Sequence, residues 1–127
     1  MKKVLVVEDN EQNLYLISFI LEKMGHKVIA AKTGEEGVEL ALKELPDLIL
    51  MDIQLPGING LETTQRIRAA KVGGDVPIIA LTSYALVGDR EQVLIAGCTG
   101  YIEKPINPES IMGEIEKYLP GKTGSSV

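Results

Sequence analysis

The apolar run from Leu48 to Met51 ends abruptly in a carboxylate, Asp52, and then in the turn residues Pro56 and Gly57. An earlier run, Val4 to Val7, ends in the same way, in Glu8 and Asp9. A third, Pro77 to Leu81, stops at Thr82, and a short fourth, Thr99 to Glu103, stops at Lys104 followed by Pro105. Carboxylates brought into one crevice repel and raise one another's pKa values, and a cation relieves that repulsion. Oxygen donors without Cys or His favour a hard ion, and a site with few protein ligands and room for water suits Mg²⁺ better than Ca²⁺. Beside such an ion, an ammonium at Lys104 and a hydroxyl at Thr82 are what a transferring phosphoryl group needs. Asp52 can be its acceptor, since carboxylates form acyl phosphates. Taken singly, each group has an ordinary explanation: a solvated acid, a turn threonine, a surface lysine. Their convergence at strand ends is harder to explain that way.

Bringing them together is the task of the fold. The runs Val4–Val7, Leu48–Met51 and Pro77–Leu81 are continuous rather than alternating, as in strands covered on both faces. Lys27 to Ala31 reads as a weaker strand. Between the strands lie helical patterns: Leu14, Ile17, Leu21 and Met24, stopped by Gly25; Val38, Ala41, Leu42 and Leu45, opened by a capping box from Thr33 to Glu36 and ended by Pro46; and Leu61, Thr64, Ile67 and Arg68. A fourth, Tyr84 to Gly97, uses Val87, Leu94 and Ile95, and its Gly88 lowers helix stability by about 1 kcal/mol relative to Ala. A fifth uses Ile111, Ile115, Tyr118 and Leu119 behind an N-cap at Asn107 and a first-turn Pro108. Residues Lys71 to Asp75 read as a loop.

Strand and helix thus alternate five times, which calls for an α/β domain: a doubly wound, flavodoxin-like parallel sheet with right-handed crossovers. In such sheets the ligand crevice lies beyond the carboxyl ends of the strands, where strand order reverses. The second strand ends in Ala30 and Ala31 without a reactive group, which suits an edge. The order 2-1-3-4-5 then makes the first and third strands neighbours and joins Glu8, Asp9 and Asp52.

Composition bounds the alternatives. The chain has 127 residues, 45% of them hydrophobic, enough for one core and one domain, expected over residues 1–119 with a flexible tail at 120–127. A net charge of -5 and the absence of a basic stripe argue against direct nucleic-acid binding. One cysteine, Cys98, allows no internal disulfide and fits a reducing cytoplasm as a half-buried hydrophobe; His26 reads as a solvated loop residue. No apolar span reaches the ~18 residues a membrane helix needs, and the N-terminus lacks a signal segment.

These residues resemble the response-regulator receiver domain over positions 3 to 119: Glu8 and Asp9, Asp52 in Leu48 to Gly57, Thr82 with Ser83, Tyr101, and Lys104 with Pro105. The resemblance implies a phosphoacceptor protein of a two-component phosphorelay rather than a turnover enzyme. Asp52 would take a phosphoryl group from a sensor histidine kinase or a histidine phosphotransfer protein. Glu8, Asp9, Asp52 and the Gln54 backbone carbonyl would hold Mg²⁺. Lys104 would pair with the phosphoryl oxygens, Thr82 would bond them, and Tyr101 would turn inward. That would reshape the face of the fourth helix, fifth strand and fifth helix for a downstream protein. Pro105 would follow a cis peptide. Tyr101 can also be read simply as a half-buried aromatic on an edge strand. With no output domain after residue 119, the chain is similar to stand-alone receivers of division-control and motility relays, and also to receivers of hybrid kinases; a monomer or weak dimer is expected.

Competing readings are weaker. A haloacid-dehalogenase-like phosphatase needs a second acid two residues beyond Asp52, where Gln54 stands. A flavodoxin-like electron carrier needs a phosphate loop where Glu8 and Asp9 would repel phosphate. A phosphorylation-independent interaction module leaves the acidic set without a purpose, and Mg²⁺ affinity would separate it from the receiver reading.

Overall fold

Five strands and five helices alternate along the chain in the computed structural model, which describes residues 2–70, 75–83 and 87–119, with the backbone alone at 87–90. They are β1 (Lys3–Val7), α1 (Glu11–Lys23), β2 (Lys27–Ala31), α2 (Gly34–Glu44), β3 (Leu48–Asp52), α3 (Gly60–Ala69), β4 (Ile78–Thr82), α4 (Val87–Ala96), β5 (Gly100–Glu103) and α5 (Pro108–Tyr118). The strands form one parallel sheet in the order β2-β1-β3-β4-β5, so the expected topology is the one observed. The loop at 71–74, Tyr84 and the expected tail from Pro120 fall outside the described residues. Among the described residues no helix is long and apolar enough to cross a membrane.

Every residue of β3 and β4 is buried, because these central strands are covered on both faces. On one face Val4, Val6, Leu48, Leu50, Ile79 and Leu81 pack with Ile17 and Leu21 of α1 and Ile111 and Ile115 of α5. On the other, Leu5, Val7, Ile49, Met51 and Ile78 pack with Ala41 of α2, Ile67 of α3 and Val93 of α4. The alternation of Ile49 and Leu50 between the two clusters is the two-residue period of a strand. Each Val, Leu, Ile or Met side chain among them contributes about 1.5–3 kcal/mol on leaving water.

Local chemistry sets the helix ends. Asn10, Thr33, Asn59 and Asn107 each cap a helix by accepting a hydrogen bond from a first-turn amide. In the box at α2 the Thr33 side chain accepts from Glu36 N, while Glu36 Oε1 accepts from Lys32 N, one residue before the cap. α1 ends in a Schellman turn: Gly25 takes φ 89°, its amide donates to Glu22 O, and the His26 amide donates to Leu21 O.

That turn corrects the reading of His26. Its backbone is folded back over the last turn of α1, so the imidazole is buried at 7% exposure rather than solvated. Cys98 is likewise buried, with Sγ 3.7 Å from Thr64 Oγ1, and burial pushes its thiol pKa up. Two helical faces also differ from expectation. In α2, Leu42 and Leu45 are exposed, and the small residues Gly34, Gly37 and Ala41 face inward. Leu45 ends that helix in the left-handed region, at φ 49°, ahead of Pro46. In α4, Val93 and Ala96 are buried while Leu94 and Ile95 face solvent. Positions 93 and 96 are three residues apart and so share one face of the helix.

Candidate functional site

The parallel pairing Val7↔Met51 puts the end of β1 level with the end of β3, so Glu8 and Asp52 follow paired residues. Asp52 pairs with Leu81, and Thr82 with Glu103. The sheet therefore delivers Glu8, Asp52, Thr82 and Lys104 to one rim, from four different strand ends. Three further main-chain bonds extend the ladder past the strands: Glu8 N to Ala31 O at 2.9 Å, Ile53 N to Leu81 O at 3.1 Å, and Lys104 N to Thr82 O at 2.7 Å.

Carboxylate oxygens of Glu8, Asp9 and Asp52 lie within 4.8 Å of one another. Glu8 and Asp52 are buried and Asp9 is exposed, which leaves the cluster open on one side. Lys104 Nζ sits 3.2 Å from Asp52 Oδ1 and 3.3 Å from Glu8 Oε1. Main-chain amides support both acids from below: Asn10 N donates to Glu8 Oε2 at 3.1 Å, and Gln54 N donates to Asp52 Oδ1 at 3.1 Å. Burial, with Asp52 alongside, lifts the Glu8 carboxyl to about 7 from an ordinary 4.5; the Asn10 amide and Lys104 pull the other way without cancelling it.

The donor set fits a hard divalent ion. Glu8 Oε1 is a buried carboxylate oxygen whose nearest cation, Lys104, is not in hydrogen-bonding geometry with it. Three carboxylates against one ammonium leave negative charge that a small cation would neutralise. A dry, all-protein cage is not present, since Asp9 opens to solvent, and this matches the preference of Mg²⁺ for keeping several waters.

Of the remaining sequence-derived residues, Thr82 is the last residue of β4 and is 7% exposed. Tyr101 lies on β5, pairs with Ala80 and packs half-buried on the α2, α3 and α4 side of the sheet. Gln54 is an exposed residue of the loop after β3. The Lys104–Pro105 peptide is cis. Sequence reasoning did not single out the amides of Asn10 and Gln54 as supports for the carboxylates. The signal was there: an acid at a strand end can bond the amide two residues on, as in an Asx turn.

A family model, the response regulator receiver domain, matches residues 4–116. The polar-differentiation response regulator DivK of Brucella ovis is 42% identical over 118 residues, covering 93% of this chain and 96% of that protein. Among solved structures, the receiver domain of a sensor histidine kinase from Pseudomonas aeruginosa, described with magnesium coordinated in its active-site cleft, has 38% identity and a TM-score of 0.87. It covers 94% of this chain and 98% of that one. The Vibrio cholerae chemotaxis protein CheY4 superposes with a TM-score of 0.88 at 29% identity, covering 93% and 98%. Matched by that family model over residues 4–116 and 42% identical to DivK over 93% of its length, the chain belongs to the response regulator receiver domain family, and among its curated relatives are DivK-type regulators of two-component signalling.

Proposed function

We propose that this receiver is a phosphorylation-driven switch in a phosphorelay, with Asp52 as the phosphoacceptor and a histidine kinase or histidine phosphotransfer protein as donor. The observation that carries this reading is the position of Lys104 Nζ within 3.3 Å of both Asp52 Oδ1 and Glu8 Oε1, the two buried acids of a three-carboxylate cluster that Asp9 leaves open to solvent. The chain is a phosphoacceptor rather than a turnover enzyme, catalysing at most the gain and loss of its own phosphoryl group.

Glu8, Asp9, Asp52 and the Gln54 carbonyl would hold Mg²⁺, which when bound neutralises charge on the transferring phosphoryl group. A free Asp52 oxygen attacks phosphorus; the P–N bond to the donor imidazole breaks as the P–O bond to Asp52 forms, and the freed imidazole nitrogen is protonated. Lys104 holds an ammonium against the phosphoryl oxygens, and the Thr82 hydroxyl donates to one of them. Those bonds exist in only one arrangement of β4 and β5, so the added dianion shifts a conformational equilibrium toward it.

Movement of Thr82 and Tyr101 is then passed to the surface of α4, β5 and α5. A groove of about 580 Å³ lies there, lined by Leu94, Tyr101, Glu103, Ser110, Glu114 and Tyr118. Exposed Leu94 and Ile95 beside it provide apolar area for a downstream protein. The test is incubation with acetyl phosphate, with and without Mg²⁺. Uptake of one base-labile phosphoryl group, only with the metal, supports the switch; no uptake in either condition rejects it.

A further inference from the structure

We infer that Gly34, which touches none of the reacting groups, is a positioning residue for the Mg²⁺ ligand set; the inference rests on the phosphoryl-switch reading above. Gly34 opens α2 and is buried against the loop that follows β3. A Cβ built on it would stand 2.5 Å from Ile58 Cγ1 and 2.8 Å from the Ile58 carbonyl oxygen, and would also meet Thr63 Oγ1. Nonbonded heavy atoms settle at roughly 3.5–4.0 Å, so the first turn of α2 seats here only because Gly34 has no side chain.

What Gly34 braces leads directly to the site. Thr63 is fully buried, and its hydroxyl donates to Asn59 O at 2.7 Å, fixing the residue that caps α3. Next to it, Gly60 N donates to Ile53 O at 3.0 Å and closes the loop from 53 to 60 on itself. Gly60 also has its Cα against the Asp52 carbonyl, where a Cβ would collide with main chain. The loop so clamped carries Gln54, whose amide donates to Asp52 Oδ1 and whose carbonyl belongs to the ligand set of the proposal. Contacts behind metal ligands set their aim, and losing one typically costs about 10- to 100-fold in metal affinity. Gly34 is thus a contact behind the ligand loop, reached through Ile58 and Thr63.

The experiment is Mg²⁺ titration of the full chain followed by amide chemical shifts, with thermal unfolding as the check on folding, for the parent, Gly34→Ala, Thr63→Ala and Gly113→Ala. Gly34→Ala pushes the loop and Thr63→Ala removes its brace without adding bulk, so the second variant serves if the first does not fold. The expected result is Mg²⁺ affinity lowered about ten-fold in a folded variant, with metal-free shifts displaced from Ile53 to Ile58. Gly113, with nothing within 4 Å of its Cβ position, should leave affinity unchanged on substitution. Folded variants that bind Mg²⁺ as the parent does overturn the inference alone. A parent that binds no Mg²⁺ overturns the switch reading and this inference together.

Discussion

Lys104 Nζ approaches Asp52 Oδ1 to 3.2 Å while remaining 3.3 Å from Glu8 Oε1, so one ammonium serves two buried carboxylates from neighbouring strand ends. It offsets only part of their charge, and Asp9 adds a third acid beside them. The consequences are measurable in protonation, metal binding and switching.

The first concerns pH. Folding raises the Glu8 carboxyl from 4.5 to about 7, chiefly through burial and then through Asp52. Between those values the folded chain holds a proton that the unfolded chain has released, so metal-free stability falls as pH rises through this window and levels off above it. The unfolding midpoint in urea, measured without metal from about pH 5 to about pH 8, should fall accordingly, and Glu8→Gln should flatten the slope. Because Mg²⁺ takes the ionised acid, its affinity in the parent should rise across the same interval.

Metal linkage gives the second. Mg²⁺ at about 100 times its Kd should stabilise the folded chain by about 2.7 kcal/mol, seen as a shift in the denaturation midpoint. Asp9→Asn removes the exposed acid of the cluster without disturbing the core, and most of that increment should vanish. An unchanged increment would place the ion elsewhere.

A third contrasts core with surface. Leu50→Ala, in a strand buried on both faces, should cost about 2–5 kcal/mol. Ile95→Ala, at 82% exposure on α4, should change stability by less than about 0.5 kcal/mol. If α4 meets the downstream protein, Ile95→Ala should nevertheless weaken binding of the beryllofluoride-treated chain to that protein.

What could be read from sequence divides along physical lines. The run Leu48 to Asp52 announces its own burial, and the bare end of Lys27 to Ala31 suits an edge; both agree with the observed strand order. Glu8, Asp52, Thr82 and Lys104 were legible because strand ends are local in sequence and a parallel sheet aligns them. Side-chain orientation in α4 was not, since an apolar residue at 94 or 95 looks the same whether it meets the sheet or a partner. His26 was misread because the Schellman turn at Gly25 depends on a backbone conformation that leaves only a glycine as its mark. The seating of Gly34 on Ile58 and Thr63 was invisible for a different reason: it joins segments over twenty residues apart through a side chain that does not exist.

A fourth prediction addresses transmission. Beryllofluoride with Mg²⁺ should move the amide signals of Thr82 and Tyr101 in the parent. Thr82→Ala should still accept a phosphoryl group while losing the Tyr101 response, because the hydroxyl and not the acceptor is missing. A Tyr101 shift that survives in Thr82→Ala would show that the signal runs by another route.

Asp52 as phosphoacceptor is established or refuted by locating the acyl phosphate itself. After treatment with acetyl phosphate and Mg²⁺, borohydride reduction converts an aspartyl phosphate to homoserine, and peptide mass mapping finds where. Homoserine is expected at position 52, with aspartate retained at Asp9. Conversion at Asp9, or no conversion in a chain that has taken up phosphate, would contradict it.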